Sequence, residues 1–131
     1  MTIAEKTFFA PQLFIKSGIK DIDFYSQAFG AVELRRITND DGTIHVAELE
    51  INGVIFQLHE ESTRRQMLSP GTLNGTSVLI GLFVPDVDKV VSQALKAGAT
   101  EMSPAQDYDY GYRQAELRDP FGHCWMIEKR I

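Results

Sequence analysis

The sequence predicts an α+β fold of two βαβββ modules, forming a curved mixed sheet with an open concave cavity and helices on the outer face. Three observations predict it. The chain repeats itself: Gly30-Ala31-Val32-Glu33-Leu34 resembles Gly98-Ala99-Thr100-Glu101-Met102, 68 residues on, and Ala47-Glu48-Leu49 recurs as Ala115-Glu116-Leu117 at the same offset. Each half reads in the same order, one strand, one helix, then three strands. Neither half, at about fifty residues, buries a sufficient core alone, so the two must pair.

The first module runs over about 8–60. Gln12-Leu13-Phe14-Ile15 is an apolar strand-like run. The three-to-four spacing of Ile19, Ile22, Tyr25 or Ser26, and Phe29 predicts a helix over about 19–29, stopped by Gly30. Strands are expected at about 33–38, 44–51 and 54–59. Asp41-Gly42 and Asn52-Gly53 between them suit tight turns in which both central residues need positive φ. A polar linker covers about 61–77, with one helical turn expected at 64–68.

The second module spans about 78–131. Its first strand is expected at 78–84. Asp86 or Asp88 caps a helix carrying Val87, Val90, Val91, Ala94 and Leu95, and Gly98 ends it. Strands near 100–103, 112–118 and 124–129 follow, the last two joined by Asp119-Pro120-Phe121-Gly122. The whole is read as one domain over 1–131.

Composition narrows the function classes. The 131 residues carry a formal net charge of −5, which argues against sequence-independent binding to nucleic acid or an anionic membrane. No apolar stretch approaches the roughly 20 residues a membrane span needs. A single cysteine, Cys124, forbids an internal disulfide. Together with the lack of a basic-then-apolar leader pattern, it leads us to expect a reducing, cytoplasmic setting.

Strand alternation assigns the faces. If Asn52-Gly53 is a two-residue turn, Glu48 pairs with Gln57 and Val46 with His59. Ala47, Leu49, Phe56 and Leu58 then face the helices, while Val46, Glu48, Ile55, Gln57 and His59 wall the cavity. The repeat gives Gln114 and Glu116, opposite Cys124, Met126 and Glu128, as the equivalents in the second half.

Glu48, Glu116 and His59 are the candidate catalytic groups, since pocket carboxylates and a histidine titrating near neutrality suit proton transfer or metal binding. The alternative is that they are solvated groups at a cavity mouth. Gln57 and Met126 are candidate ligand contacts, with Tyr108, Tyr110, Tyr112 and Arg113 at the rim. Arg113 equally suits pairing with Asp107, Asp109 or Asp119, and the tyrosines a subunit contact or a solvated loop. His45 and His123 read as structural, Cys124 as a poor nucleophile, Trp125 and Phe121 as core, and Arg35-Arg36 and Arg64-Arg65 as solvated. No nucleophile triad order or phosphate-cradling loop is present in the sequence.

The runs Asp23-Phe24-Tyr25 and Ala28-Phe29-Gly30, Ala97-Gly98-Ala99, and Arg118-Asp119-Pro120-Phe121-Gly122-His123 resemble the glyoxalase/bleomycin-resistance/extradiol-dioxygenase (vicinal oxygen chelate) superfamily over nearly the whole chain. Within it the chain is most similar to small PhnB-like and glyoxalase-like bacterial proteins. The resemblance implies a small-molecule ligand and a homodimer. It also implies four metal-ligand slots, two per half. Carried over, they fall at Ala10, Gln57, Val78 or Leu79, and Met126, where only Gln57 offers a suitable donor. The sequence therefore leads us to expect no metal cofactor, and a small-molecule-binding protein. A metal-dependent lyase or dioxygenase with a shifted ligand set, and a metal-free lyase or isomerase, are the alternatives.

Overall fold

The computed structural model describes residues 6–131. The opening residues, where the sequence was read for a leader pattern, lie outside the described residues. In chain order the elements are β1 (Gln12–Ile15), α1 (Phe24–Phe29), β2 (Val32–Thr38), β3 (Ile44–Ile51), β4 (Val54–Glu60), α2 (Pro70–Leu73), β5 (Leu79–Phe83), α3 (Val87–Ala97), β6 (Thr100–Tyr108), β7 (Tyr112–Arg118) and β8 (Cys124–Arg130). The βαβββ order occurs twice, as the repeat predicts.

Several boundaries moved, each for a local reason. Helix α1 begins at Phe24 and not near Ile19, because the Ile19 carbonyl accepts from the Ile44 amide at 2.8 Å and is lost to a helix. The helical turn of the linker is α2 and not 64–68. Ser69 caps it, accepting from the Thr72 amide, and Pro70 occupies its first turn, where no amide proton is needed. Asn52-Gly53 forms the expected turn, with both residues at positive φ. Asp41-Gly42 does not. Only Gly42 is left-handed there, and the loop closes as Asn39–Thr43, with the Gly42 amide on the Asn39 carbonyl. Strand β6 runs on to Tyr108, past register shifts around Ser103–Gln106, so part of the tyrosine segment is strand and not loop.

The curved sheet is realised as two four-stranded mixed sheets, ordered β1-β4-β3-β2 and β5-β8-β7-β6. In each, the first and last strands of the module run parallel and the others antiparallel. Ala47, Leu49, Phe56 and Leu58 of one sheet and Ala115, Leu117, Trp125 and Ile127 of the other are buried with Tyr25, Ala28, Val91 and Ala94 of the helices in one core. The modules meet through α1 and α3. Both apolar sheet faces are consumed by this shared core, so the opposite, polar faces turn away from it.

Tyr25 is the centre of the joint. Its ring stacks on Phe121 and lies edge-on to Phe56, and its neighbour Phe29 lies 4.9 Å from Trp125. Full burial of one such ring contributes about 1.5–3 kcal/mol. Across the joint, His123, which is buried, bonds the Phe14 carbonyl through Nε2 at 2.8 Å; the role is structural, as expected, but the partner is distant in the chain and not local.

Candidate functional site

The β3–β4 hairpin has the register expected from the Asn52-Gly53 turn: Glu48 opposes Gln57 and Val46 opposes His59. Strand β1 lies beside β4 in parallel, setting Gln12 next to Gln57 and Phe14 next to His59. On the other side, β2 sets Arg35 opposite Glu48 and Ile37 opposite Val46. These residues share the open face of the first sheet, where Arg35, Ile37, Val46, Glu48 and Gln57 line a cavity of about 150 Å³.

A polar row crosses this face. Gln57 Nε2 donates to Glu48 Oε2 at 3.3 Å, and Gln57 Oε1 is 3.3 Å from His59 Nε2. The Phe14 ring lies 5.5 Å from the His59 ring. Burial pushes the His59 imidazole below its ordinary value, helped by the positive charge of His45 and Arg65. His45 itself is exposed and pairs with Glu60 at 2.9 Å, outside the cavity.

The second sheet repeats the plan with different side chains. Glu116 opposes Met126 and Gln114 opposes Glu128. The parallel strand β5 sets Gly81 beside Met126 and Phe83 beside Glu128. Phe83 thus stands where Phe14 stands in the first module, and Glu128 where His59 stands. Gln114 donates to Glu128 Oε1 at 2.8 Å and accepts from the Tyr110 hydroxyl. Tyr108 and Tyr110 stack at 5.3 Å, and Tyr112 lies 5.9 Å from Tyr110 and 6.1 Å from Phe83.

The sequence candidates are therefore divided. Glu48, Gln57 and His59 come together on one face; Glu116, Met126, Tyr108, Tyr110 and Tyr112 come together on the other. The cavity at Glu48 is lined by first-module residues, and each polar face is the one turned from the shared core. Arg113 lies on neither open face, and of the two roles the sequence left open it makes the acid pairing with Asp107. Its strand parity is that of buried Ala115, and its guanidinium is held by Asp88 at 2.8 Å and Asp107 at 3.0 Å.

Arg35 and Glu128 are the residues that sequence reasoning undervalued. Both arginines of the pair are exposed, as expected; Arg36 is bound to Glu33 at 2.7 Å, and Arg35 also lines the cavity. Alternation alone would have found Arg35, but β2 carries register shifts between Glu33 and Arg35 and between Ile37 and Thr38. Glu128 was visible as the residue opposite Gln114.

The metal-ligand slots implied by the family resemblance do not fit a metal. Leu79, at the third slot, pairs with Cys124 and is exposed, and Met126 faces Gly81 and Glu116. Among the described residues, no group of three or more His, Cys, Asp or Glu side chains is placed to hold an ion. No helix among the described residues is long and apolar enough to cross a membrane.

Comparison with known proteins agrees with this architecture. A family model described as Glyoxalase/Bleomycin resistance protein/Dioxygenase superfamily matches residues 12–127. An uncharacterized protein of Mycobacterium bovis is 38% identical over 134 residues, covering 100% of this chain and 88% of its own. Among solved structures, TioX from a Micromonospora species superposes with a TM-score of 0.69 at 25% identity, covering 95% of this chain and 97% of TioX. The genomically encoded fosfomycin resistance protein FosX from Listeria monocytogenes gives 0.70 at 16% identity, covering 96% and 94%, a likeness of fold alone.

Proposed function

Because the chain belongs to the glyoxalase/bleomycin resistance/dioxygenase superfamily, we propose that it is a metal-independent small-molecule-binding protein that works as a homodimer in a reducing, cytoplasmic setting. One observation carries the reading. The open face of the first module carries a polar row, Glu48–Gln57–His59, whose Glu48 and Gln57 line a cavity with Arg35 and apolar Ile37 and Val46. Its internal bonds, at 3.3 Å, are long and leave capacity to donate and accept.

The same geometry supports the homodimer. One chain has two open faces pointing away from one core, so it cannot enclose a ligand between them. A second copy resolves this if the first module of one protomer faces the second module of its partner. Exposed apolar side chains on these faces, Val32 and Ile37 on one and Leu79 and Phe83 on the other, support such a seam.

The absence of donors at Ala10 and Leu79 is what favours binding without metal. The test is metal analysis of protein purified without chelator, then thermal melting with added zinc, nickel, manganese or iron, and with a panel of small aromatics, 2-oxo acids and glycopeptide drugs. We expect no stoichiometric metal, no metal-induced shift in melting, and at least one organic ligand whose binding is lost in Gln57→Ala. Stoichiometric metal lost in Glu48→Ala or His59→Ala would overturn the reading in favour of a metalloenzyme.

A further inference from the structure

Resting on the small-molecule reading above, we propose that the second module's open face recognises a planar aromatic cation, with the Glu128 carboxylate as its anchor and Tyr110 and Phe83 as its stacking surfaces.

Glu128 is unusual for a carboxylate in this chain. It is only 8% exposed, yet among the described residues no Lys, Arg or His nitrogen lies within ion-pair distance of it. Its one hydrogen bond among those residues comes from the neutral Gln114 amide. An ionised carboxylate has about four acceptor sites; no buried side-chain atom among the described residues lacks a partner, so Oε2, which accepts no bond from the chain, is the oxygen open to an outside donor. A cationic N–H donor arriving from outside would be favoured strongly.

The surroundings hold the carboxylate in this state. A Cβ at Gly81 would sit 2.7 Å from Glu128 Oε2, so the bare glycine gives the carboxylate its seat over β5. The Tyr110 hydroxyl binds the Gln114 oxygen, which fixes the amide with its NH2 towards Glu128. Arg130 lies over the Phe83 ring at 5.4 Å and donates to the Tyr112 hydroxyl at 3.3 Å; it feels the Glu128 charge but makes no ion pair with it.

Flat apolar surface stands beside the anion. Tyr108 and Tyr110 are stacked with an interplanar angle of 16°, and Tyr110 and Phe83 are both more than half exposed. Aromatic rings attract another ring by stacking and a cation by their quadrupole, so ring and charge of one ligand are served together. The first module has His59 and Phe14 at the equivalent positions, so the preference for a cation belongs to the second module alone.

The test is fluorescence titration of the full chain with three planar probes: proflavine, a cation; 2-naphthoate, an anion; and 2-naphthol, neutral. We expect proflavine to bind tightest, and Glu128→Gln to weaken it by about tenfold, the loss of one charge-assisted bond. Tyr110→Ala should weaken it too, while Tyr110→Phe, which keeps the ring, should retain more of the affinity than Tyr110→Ala. Proflavine affinity unchanged in Glu128→Gln, or 2-naphthoate binding as tightly as proflavine, overturns the proposal. A 2-naphthoate or 2-naphthol complex lost in Gln57→Ala but kept in Glu128→Gln overturns it while leaving the small-molecule reading intact. Failure of all three probes, and of the wider ligand panel, overturns both.

Discussion

Tyr25 of the first module donates its hydroxyl to the Asp119 carboxylate of the second at 2.6 Å, a bond between residues 94 apart in the chain. Asp119 also accepts from Trp125 Nε1 at 3.0 Å and from the amides of Phe121 and His123. Four donors therefore converge on one buried carboxylate, which is why an Asp stands at the head of the Asp119–His123 turn. Burial and the adjacent Asp119 charge together push the Tyr25 phenol well above its ordinary value, so it remains a donor.

Removing either end of this bond should loosen the joint between modules. Tyr25→Phe deletes one hydrogen bond to a charged acceptor and should cost about 1.5–3 kcal/mol. Asp119→Ala strands Tyr25, Trp125 and two amides, and should cost about 3 kcal/mol or more. Urea unfolding monitored by Trp125 fluorescence measures both. Equal stability of Asp119→Ala and the native chain would refute the clasp.

Gly122 and Gly30 should respond unequally to substitution. Gly122 has φ +96°, and a Cβ there would lie 2.8 Å from the Pro70 Cβ, so Gly122→Ala combines backbone strain with a clash. It should cost about 2 kcal/mol or more. Gly30 has φ +70° with open space around it, and asparagine tolerates that conformation, so Gly30→Asn should cost under about 1 kcal/mol. Thermal melting of the two variants side by side is sufficient.

His59 should make stability fall with acid. Its folded-state value is lowered, by burial first and then by His45 and Arg65. The unfolded chain thus binds the proton more readily than the fold does. The stabilisation is present above the unfolded value of about 6.5 and is lost as pH falls from there through the folded value. Ring titration by NMR should place His59 below an ordinary histidine. His59→Gln should flatten the change in urea midpoint between about pH 7.5 and about pH 5.5. An unaltered slope would show that His59 is not its source.

A cavity shared between protomers predicts complementation. Gln57→Ala damages the first-module face and Glu116→Ala the second-module face. A mixed dimer of the two chains retains one intact pairing of faces and one doubly altered. Unfolding and refolding the two inactive variants together should therefore restore binding of the ligand found in the screen. Binding that stays absent in the mixture, while each variant still sediments as a dimer, would place the whole cavity within one chain.

Much of the fold was legible because its signals are local. The Asn52-Gly53 turn and the two-residue period of β3 and β4 set Glu48 opposite Gln57, and the repeat carried the same reasoning to Glu116 and Met126. The failures came from contacts between parts of the chain that are apart in sequence. Ile19 has the spacing of a helical residue, but its carbonyl is taken by Ile44, far along the chain. Arg35 was hidden by irregular pairing in β2, and Arg113 by the ambiguity of a cation flanked by acids on several elements.

By itself the sequence determined the two modules, the strand faces and the residues that share each face, because backbone sterics, turn chemistry and side-chain alternation act over a few residues. How the modules sit was decided only in three dimensions. Tyr25, Phe29, Phe121 and Trp125 pack on one another between the modules, and that long-range burial leaves the polar face of each sheet turned from the core. No local pattern encodes such a choice, since either sheet face satisfies its own hydrogen bonds equally and only the apolar area removed from water distinguishes the arrangements.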